Sequence, residues 1–244
     1  MADVPTTDQR FATTITNTTM SGRPLTPIEA RSLATLMEKA RTVPDSYPLS
    51  RNALVTGCNQ KTSRDPLMEV TDDQAREAIE ALKKLSLAFE GSSSRVPRYE
   101  HNFARVYGTS EAQGVLLGLL MLRGPQTSAE LRTNGERWYK FADATAVDAV
   151  LAEMQQRGDD GGARYCVKLP RAPGAREQRW AHQLCGEVDV AAALAALASA
   201  PNVAETEGLL GRVTVLENEV ALLKVANAEL RAVLDKVCGD LGIA

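Results

Sequence analysis

The 244-residue sequence has little of several residue types that specific chemistries require. It contains two histidines and four cysteines, and aromatic residues make up 5% of it. His182 and Cys185 are three residues apart, but no second pair is spaced to complete a zinc site, which needs about four such ligands. The longest apolar run, residues 115–122, is far shorter than the roughly 20 residues that span a bilayer. We therefore expect no metal, no cofactor and no membrane partner.

The patterns of enzymes and of secreted proteins are also missing. The chain has no glycine-rich phosphate loop, no nucleophile elbow and no His-Glu-x-x-His pattern. Its Thr-rich beginning, residues 1–22, has no apolar segment like that of a signal peptide. We expect a non-enzymatic protein with a disordered tail at residues 1–22, and free thiols in a reducing cytoplasm.

A heptad repeat occupies residues 206–242. Its apolar positions alternate steps of three and four, with one asparagine among them: Leu209, Val213, Leu216, Val220, Leu223, Asn227, Leu230, Leu234, Val237 and Leu241. Valine at a with leucine at d favours a parallel two-stranded coiled coil, and Asn227 at an a position fixes the register by pairing with its own copy. We expect this helix to form a parallel homodimer. The alternative is an amphipathic helix that folds back on the body of the chain.

This dimerisation helix is not expected to bind DNA itself. A DNA-binding zipper has a basic region just upstream, whereas residues 188–208 contain no Lys or Arg. We predict that residues 188–205 form a linker, which includes a weakly helical, Ala- and Leu-rich stretch at residues 191–200.

The part of the chain before this linker is predicted to contain two copies of one element order. In residues 23–107, Thr26, Ser50 and Thr71 stand where they can cap three successive helices. Residues 87–103, with a Ser-rich turn near their middle, then read as a β-hairpin. Three helices followed by a hairpin are the elements of a winged helix-turn-helix domain.

Residues 108–187 repeat this order. Thr109, Thr127 and Asp143 precede three predicted helices, and two strands follow at residues 165–169 and 178–184. The expected fold is mostly α with small β-hairpins, of class α+β. It comprises two tandem winged helix-turn-helix domains, at 23–107 and 108–187, followed by the C-terminal coiled-coil helix.

Several motifs of these repeats resemble the YceH-like family of bacterial proteins. They are Glu38-Lys39, Tyr47-Pro48-Leu49-Ser50, Cys58-Asn59-Gln60-Lys61-Thr62, Arg64-Asp65-Pro66, Leu122-Arg123-Gly124, Gln126-Thr127, Glu130-Leu131-Arg132 and Gly186-Glu187-Val188. The resemblance covers residues 25–188 and rests on long motifs in a fixed order. It implies a tandem winged-helix fold and no particular activity.

Basic residues gather in the predicted wings and in the loop after the second helix. A winged helix binds duplex DNA with its third helix in the major groove and its wing on the backbone or in the minor groove. Candidates for contacts with bases or phosphates are Arg51, Asn59, Gln60, Lys61, Arg64, Arg95, Arg98, Lys168, Arg171, Arg176 and Arg179. We therefore expect DNA binding, in transcriptional regulation or chromosome organisation.

The predicted third helices favour a different function. The first begins with Asp72 and Asp73 and continues with Glu77, and these carboxylates would repel phosphate. The second has no Lys or Arg between its start at Asp143 and Arg157. The alternative function is a protein–protein interaction module, or scaffold, that uses winged helices without binding DNA.

An aromatic cluster lies between the second and third helices of the second copy. It consists of Trp138, Tyr139 and Phe141. We predict that it fills the gap between the two domains. The alternative is that its rings stack on a ligand or a base.

Overall fold

The computed structural model describes residues 23–91, 96–159, 163–172 and 174–199. The predicted tail at 1–22, the candidate Arg95 and the predicted coiled coil at 206–242 lie outside these residues. The described chain combines helices with small antiparallel sheets, which confirms the expected α+β class. None of its described helices is both long and apolar enough to cross a membrane.

The first repeat, residues 23–107, consists of helices around a three-stranded antiparallel sheet. Its helices are α1 Pro27–Thr42, α2 Arg51–Cys58, α3 Asp72–Lys84 and the short α4 Phe103–Tyr107. Its strands are β1 Leu49–Ser50, β2 Ala88–Gly91 and β3 Arg98–His101, in the order β1-β3-β2. The β2–β3 hairpin pairs Ala88 with His101 at one end and Gly91 with Arg98 at the other.

The second repeat, residues 108–187, has the same order of three helices and a hairpin, and its described residues contain no counterpart of α4. Its helices are α5 Glu111–Arg123, α6 Ser128–Gly135 and α7 Ala144–Asp159, and its strands are β4 Cys166–Lys168 and β5 Trp180–His182. Gln126 forms a single antiparallel bridge with Trp180, which places a third chain segment beside the β4–β5 hairpin. This bridge corresponds to the pairing of β1 in the first repeat. A further helix, α8, spans Val190–Ser199, within the predicted linker.

Most of the residues that were predicted to cap the N-termini of helices do so. Thr26, Thr71 and Thr127 each form a capping box with the Glu or Gln three residues later, and Ser50 accepts a hydrogen bond from the backbone N–H of Ala53. Helix α5 differs, because its cap is Ser110 and not Thr109. Only from Ser110 does the third following residue, Gln113, have a side chain that can reach back to the cap.

The segment at Phe103 corrects a second prediction. The alternation of the hairpin suggested a strand up to Phe103, but this residue begins α4. Phe103 and Tyr107 lie one helical turn apart, are both buried, and have their ring centroids 4.7 Å apart. The helical turn therefore buries two aromatic rings on one face, whereas the spacing of four residues along a strand would separate them widely.

The two repeats share one core, and their described residues lie within a single compact unit. Helix α1 packs along α5. Trp138 is buried between them: a Cβ atom at Gly118 would lie 2.9 Å from Cζ3 of Trp138 and 3.3 Å from Cε of Met37. Trp138 thus fills the gap between the repeats, as predicted. Arg41 adds a polar link, donating to Glu111 at 2.6 Å and to the Trp138 carbonyl at 3.3 Å.

Two glycines of α5 provide a matched test of this packing. We expect Gly118→Ala to lower the free energy of unfolding by about 1–3 kcal/mol, because the added methyl group would overlap the rigid Trp138 ring. Gly114→Ala should raise it by about 0.5–1 kcal/mol, because a Cβ there meets its nearest neighbour at 3.6 Å and alanine favours the helix. Urea denaturation of both variants measures the difference, and equal midpoints would contradict the close contact.

Candidate nucleic-acid interface

The loop between α2 and α3, residues 59–71, contains four of the predicted DNA contacts, yet it directs most of them inward. The Asn59 side chain donates to the Val70 carbonyl at 2.8 Å and accepts from the Val70 N–H at 2.7 Å. This reciprocal pair joins the two ends of the loop, in the manner of a backbone pairing. These bonds use one N–H and one lone pair of the Asn59 amide inside the protein, and its assignment to base contacts stays a prediction.

Arg64 is the most deeply buried of these residues, with a side chain that is 0% exposed. Its guanidinium group makes a two-pronged contact with the Glu38 carboxylate, at 3.2 and 2.5 Å. It also donates to the carbonyls of Gly57 and Ser63 and to the side chain of Gln60. Arg64 therefore has no donor left for phosphate, which corrects its assignment to the DNA-contacting loop. Gln60, which accepts from Arg64 at 2.8 Å, belongs to the same internal network.

Charge holds this network together. Burial by itself would raise the pKa of the Glu38 carboxyl, but hydrogen bonds and positive charge from Arg64 and Lys39 outweigh burial and hold that pKa below its ordinary value. A carboxyl with a lowered folded-state pKa contributes stability above its unfolded pKa, and this contribution is lost as pH falls through the folded value. Arg31, 1% exposed, adds hydrogen bonds to the carbonyl of Cys58, the last residue of α2, and to that of Pro66 on the loop.

Among the described residues, the other candidates of the first repeat are also engaged, with one exception. Arg51 donates to the Asp72 carboxylate at 2.7 Å, and Arg98 donates to the Pro48 carbonyl at 2.9 Å. Lys61 is exposed and makes no hydrogen bond or ion pair in the described part of the chain. Lys84, which was not predicted, and Arg105, a basic residue of the predicted first wing, share this state within the described residues.

Helix α3 presents an acidic surface. Four carboxylates are exposed along it: Asp72, Asp73, Glu77 and Glu80. Two of its three cations are paired with carboxylates, since Arg76 donates to Asp73 at 2.8 Å and Lys83 contacts both Glu80 and Glu90. The surface that a winged helix would place in the major groove is therefore acidic in the first repeat.

In the second repeat, Asp148 of α7 joins three other elements. Its carboxylate accepts hydrogen bonds from Ser128 at the start of α6 and from Nε1 of Trp180 in β5, both at 2.9 Å, and from Lys168 in β4 at 3.0 Å. Burial by itself would raise the pKa of Asp148, but these three donors lower it overall. The ammonium of Lys168 also lies 5.0 Å from the centre of the Trp180 ring. Lys168 thus fastens the hairpin to α7.

Arg179 has a comparable structural role. Its guanidinium makes two parallel contacts with Glu130, at 2.6 and 2.8 Å, and donates to the Pro125 carbonyl at 3.0 Å. Glu130 is also the capping-box partner of Thr127. Arg179 therefore fixes the start of α6 against the hairpin, and only part of its charge faces solvent.

Five cations of the second repeat remain exposed and without an intramolecular partner among the described residues. They are Arg132, Arg137, Lys140, Arg171 and Arg176. Arg132 lies on α6, two follow in the connection from α6 to α7, and Arg171 and Arg176 lie in the loop of the β4–β5 hairpin. The hairpin pair was predicted from the sequence and the other three were not, because only the tertiary structure distinguishes a free cation from a paired one.

The exposed surface of α7 is close to neutral. Its exposed residues include Thr145, Ala149 and Ala152, and Glu153 pairs with Arg157 at 2.9 Å. An open groove of about 300 Å³ lies between α7 and the hairpin, with Gln155 and Lys168 in its lining. Within the described residues, α7 and its surroundings therefore combine a neutral helix with unpaired positive charge, whereas α3 is acidic.

The sequence of this chain is similar to those of known bacterial proteins. The family model described as "Protein of unknown function, DUF480" matches residues 25–175, which include the first repeat and most of the second. The chain belongs to the DUF480 family. A UPF0502 protein of Polaromonas sp. (strain JS666) is 69% identical over 92% of this chain and 94% of its own length. UPF0502 proteins of Verminephrobacter eiseniae and Burkholderia multivorans are 57% and 52% identical, over 90% and 91% of this chain and 88% and 91% of their own lengths. Membership of an uncharacterised bacterial family is thereby confirmed.

Arg64 and Lys61 provide a test of the corrected loop. We expect Arg64→Ala to lower the free energy of unfolding by about 3–5 kcal/mol, because it removes the buried guanidinium that neutralises Glu38 and leaves only Lys39 beside that largely buried carboxylate. Lys61→Ala should change it by less than about 0.5 kcal/mol, because this side chain is exposed and unpaired. Chemical denaturation measures both changes. Similar small effects from the two substitutions would show that the Arg64 network does not stabilise the fold.

Proposed function

We propose that each repeat is a winged helix-turn-helix domain, and that this protein is a non-enzymatic, DNA-binding factor of the cytoplasm. The order of three helices and a hairpin in both repeats supports the domain assignment. The hairpin is then the wing of each domain, with α3 and α7 as the third helices. Its proposed role is in the regulation of transcription or in the organisation of the chromosome.

The second repeat is the proposed DNA-binding half. The observation that carries this assignment is its set of five exposed cations without intramolecular partners, defined above. Such cations can release counterions from phosphates, which supplies most of the affinity of non-specific DNA binding. Arg171 and Arg176 lie on the wing loop, one of the elements that a winged helix presents to duplex DNA, and the other three lie on α6 and on the connection that leads into α7.

We further propose a parallel homodimer held by the predicted coiled coil at 206–242. Its support is the heptad pattern, with Val220 at an a position, Leu223 at d and Asn227 at the next a position. A dimer would present two copies of the second repeat to one duplex. Simultaneous contact by both copies would raise the apparent affinity without any new contact.

A second candidate function has its own support in the first repeat. The exposed carboxylates of α3 would repel phosphate but would suit a basic segment of a protein partner. In this alternative the protein is an interaction module or scaffold. The two functions are compatible if the repeats have different partners, and they are separated by a direct test of DNA binding.

The test is fluorescence anisotropy of the full chain with labelled duplex DNA at several salt concentrations. Arg171→Ala/Arg176→Ala should weaken binding about tenfold or more at low salt, because two phosphate-neutralising charges are lost. It should also reduce the slope of log affinity against log salt by about 2, since each contact contributes about 0.9.

The matched control is Arg76→Ala/Lys84→Ala, which removes the same charge from the acidic α3. Its affinity and its salt slope should stay close to those of the parent protein, because these residues make no proposed contact with DNA. Equal weakening by both double variants would mean that DNA affinity depends only on the net charge of the chain, which would contradict the assignment of DNA binding to the second repeat. Absence of DNA binding by the parent protein, even at low salt, would contradict the proposal and favour the interaction module.

A further inference from the structure

The wing loop of the second repeat has a narrow tip between two arginines. The Ala175 N–H donates to the Ala172 carbonyl at 3.0 Å, and Gly174 has a φ of +79°, so the chain reverses in a tight turn there. Arg171 and Arg176 flank this turn and are both exposed. In the sequence, the four residues between them are Ala, Pro, Gly and Ala, so no side chain in the tip is larger than proline.

The third helix of the same repeat has few groups that could read bases. Three of its exposed residues, Thr145, Ala149 and Ala152, have small side chains, and two of them lack any polar side-chain group. Readout in the major groove requires donors and acceptors that match base edges, usually from Arg, Asn or Gln. Arg157 is occupied by Glu153 at 2.9 Å. Gln156 is therefore the main exposed candidate for such a contact on α7. The helix has few side chains that could distinguish one base pair from another.

We propose that Arg171 and Arg176 enter the minor groove and give the protein a preference for A·T-rich DNA. This inference rests on the proposed DNA binding by the second repeat. A·T-rich tracts have a narrow minor groove with an enhanced negative potential, which attracts inserted arginines. The minor groove of B-DNA is only about 6 Å wide, and the small residues of the tip let the loop approach its edge. Guanidinium is also more weakly hydrated than ammonium, which makes arginine the better residue to insert.

Inosine separates minor-groove from major-groove recognition. An I·C pair keeps the major-groove pattern of G·C but lacks the guanine amino group in the minor groove, so its minor groove resembles that of A·T. We would compare the full chain on three duplexes of equal length that contain A·T, G·C or I·C pairs at the same positions. The expected result is similar affinity for the A·T and I·C duplexes, and affinity about fivefold or more weaker for the G·C duplex.

The matched variant is Arg171→Lys/Arg176→Lys, which keeps the charge of the loop. It should retain most of its affinity for the G·C duplex and lose most of the preference for A·T, because ammonium groups still attract phosphate but are inserted less readily. If the preference for A·T persists in this variant, Arg171 and Arg176 are not its cause, which would overturn the inference.

The remaining outcomes separate this inference from the function on which it rests. Equal affinity for all three duplexes would overturn the minor-groove preference and leave DNA binding intact. Affinity for I·C equal to that for G·C, and different from A·T, would place recognition in the major groove and overturn the inference. Absence of binding to every duplex would overturn both proposals.

Discussion

The buried contact between Glu38 and Arg64 is the interaction on which the arrangement of the two repeats depends. Two charges removed from water are stable only if each is matched by the other and by further hydrogen bonds. Here the carbonyls of Gly57 and Ser63 and the Gln60 side chain complete the set around Arg64. The loop at residues 59–71 is consequently fixed against α1, although it contains no helix or strand of its own.

That fixed loop in turn contacts the second repeat. The Asp65 N–H donates to the Leu122 carbonyl at 2.8 Å, and Arg123 donates to the Ser63 hydroxyl at 2.6 Å. Together with Trp138 beside Gly118, these bonds make the two repeats one packed body instead of two domains on a tether. The first repeat thus uses most of its described, predicted cations for structure, whereas the second leaves Arg171 and Arg176 free at the surface, together with three cations that were not predicted. This difference is the reason for assigning DNA binding to the second repeat.

Local features of the fold could be predicted from the sequence, because a capping box involves residues only three positions apart. Thr26, Thr71 and Thr127 were therefore found, and the α+β class followed from the order of helices and hairpins. The functional surface could not be predicted equally well. Arg64 and Lys61 stand three residues apart in one polar loop, yet one is buried and the other exposed. Their difference comes from Glu38, which is distant in the sequence and adjacent only in the folded chain.

Hydrogen exchange of the full chain, with and without a short duplex, shows which of the two repeats contacts DNA. Exchange should become slower on DNA binding in the wing loop at residues 170–179 and in the connection from α6 to α7, with α3 unchanged. Slower exchange centred on α3, with the wing loop of the second repeat unchanged, would contradict the assignment of DNA binding to the second repeat.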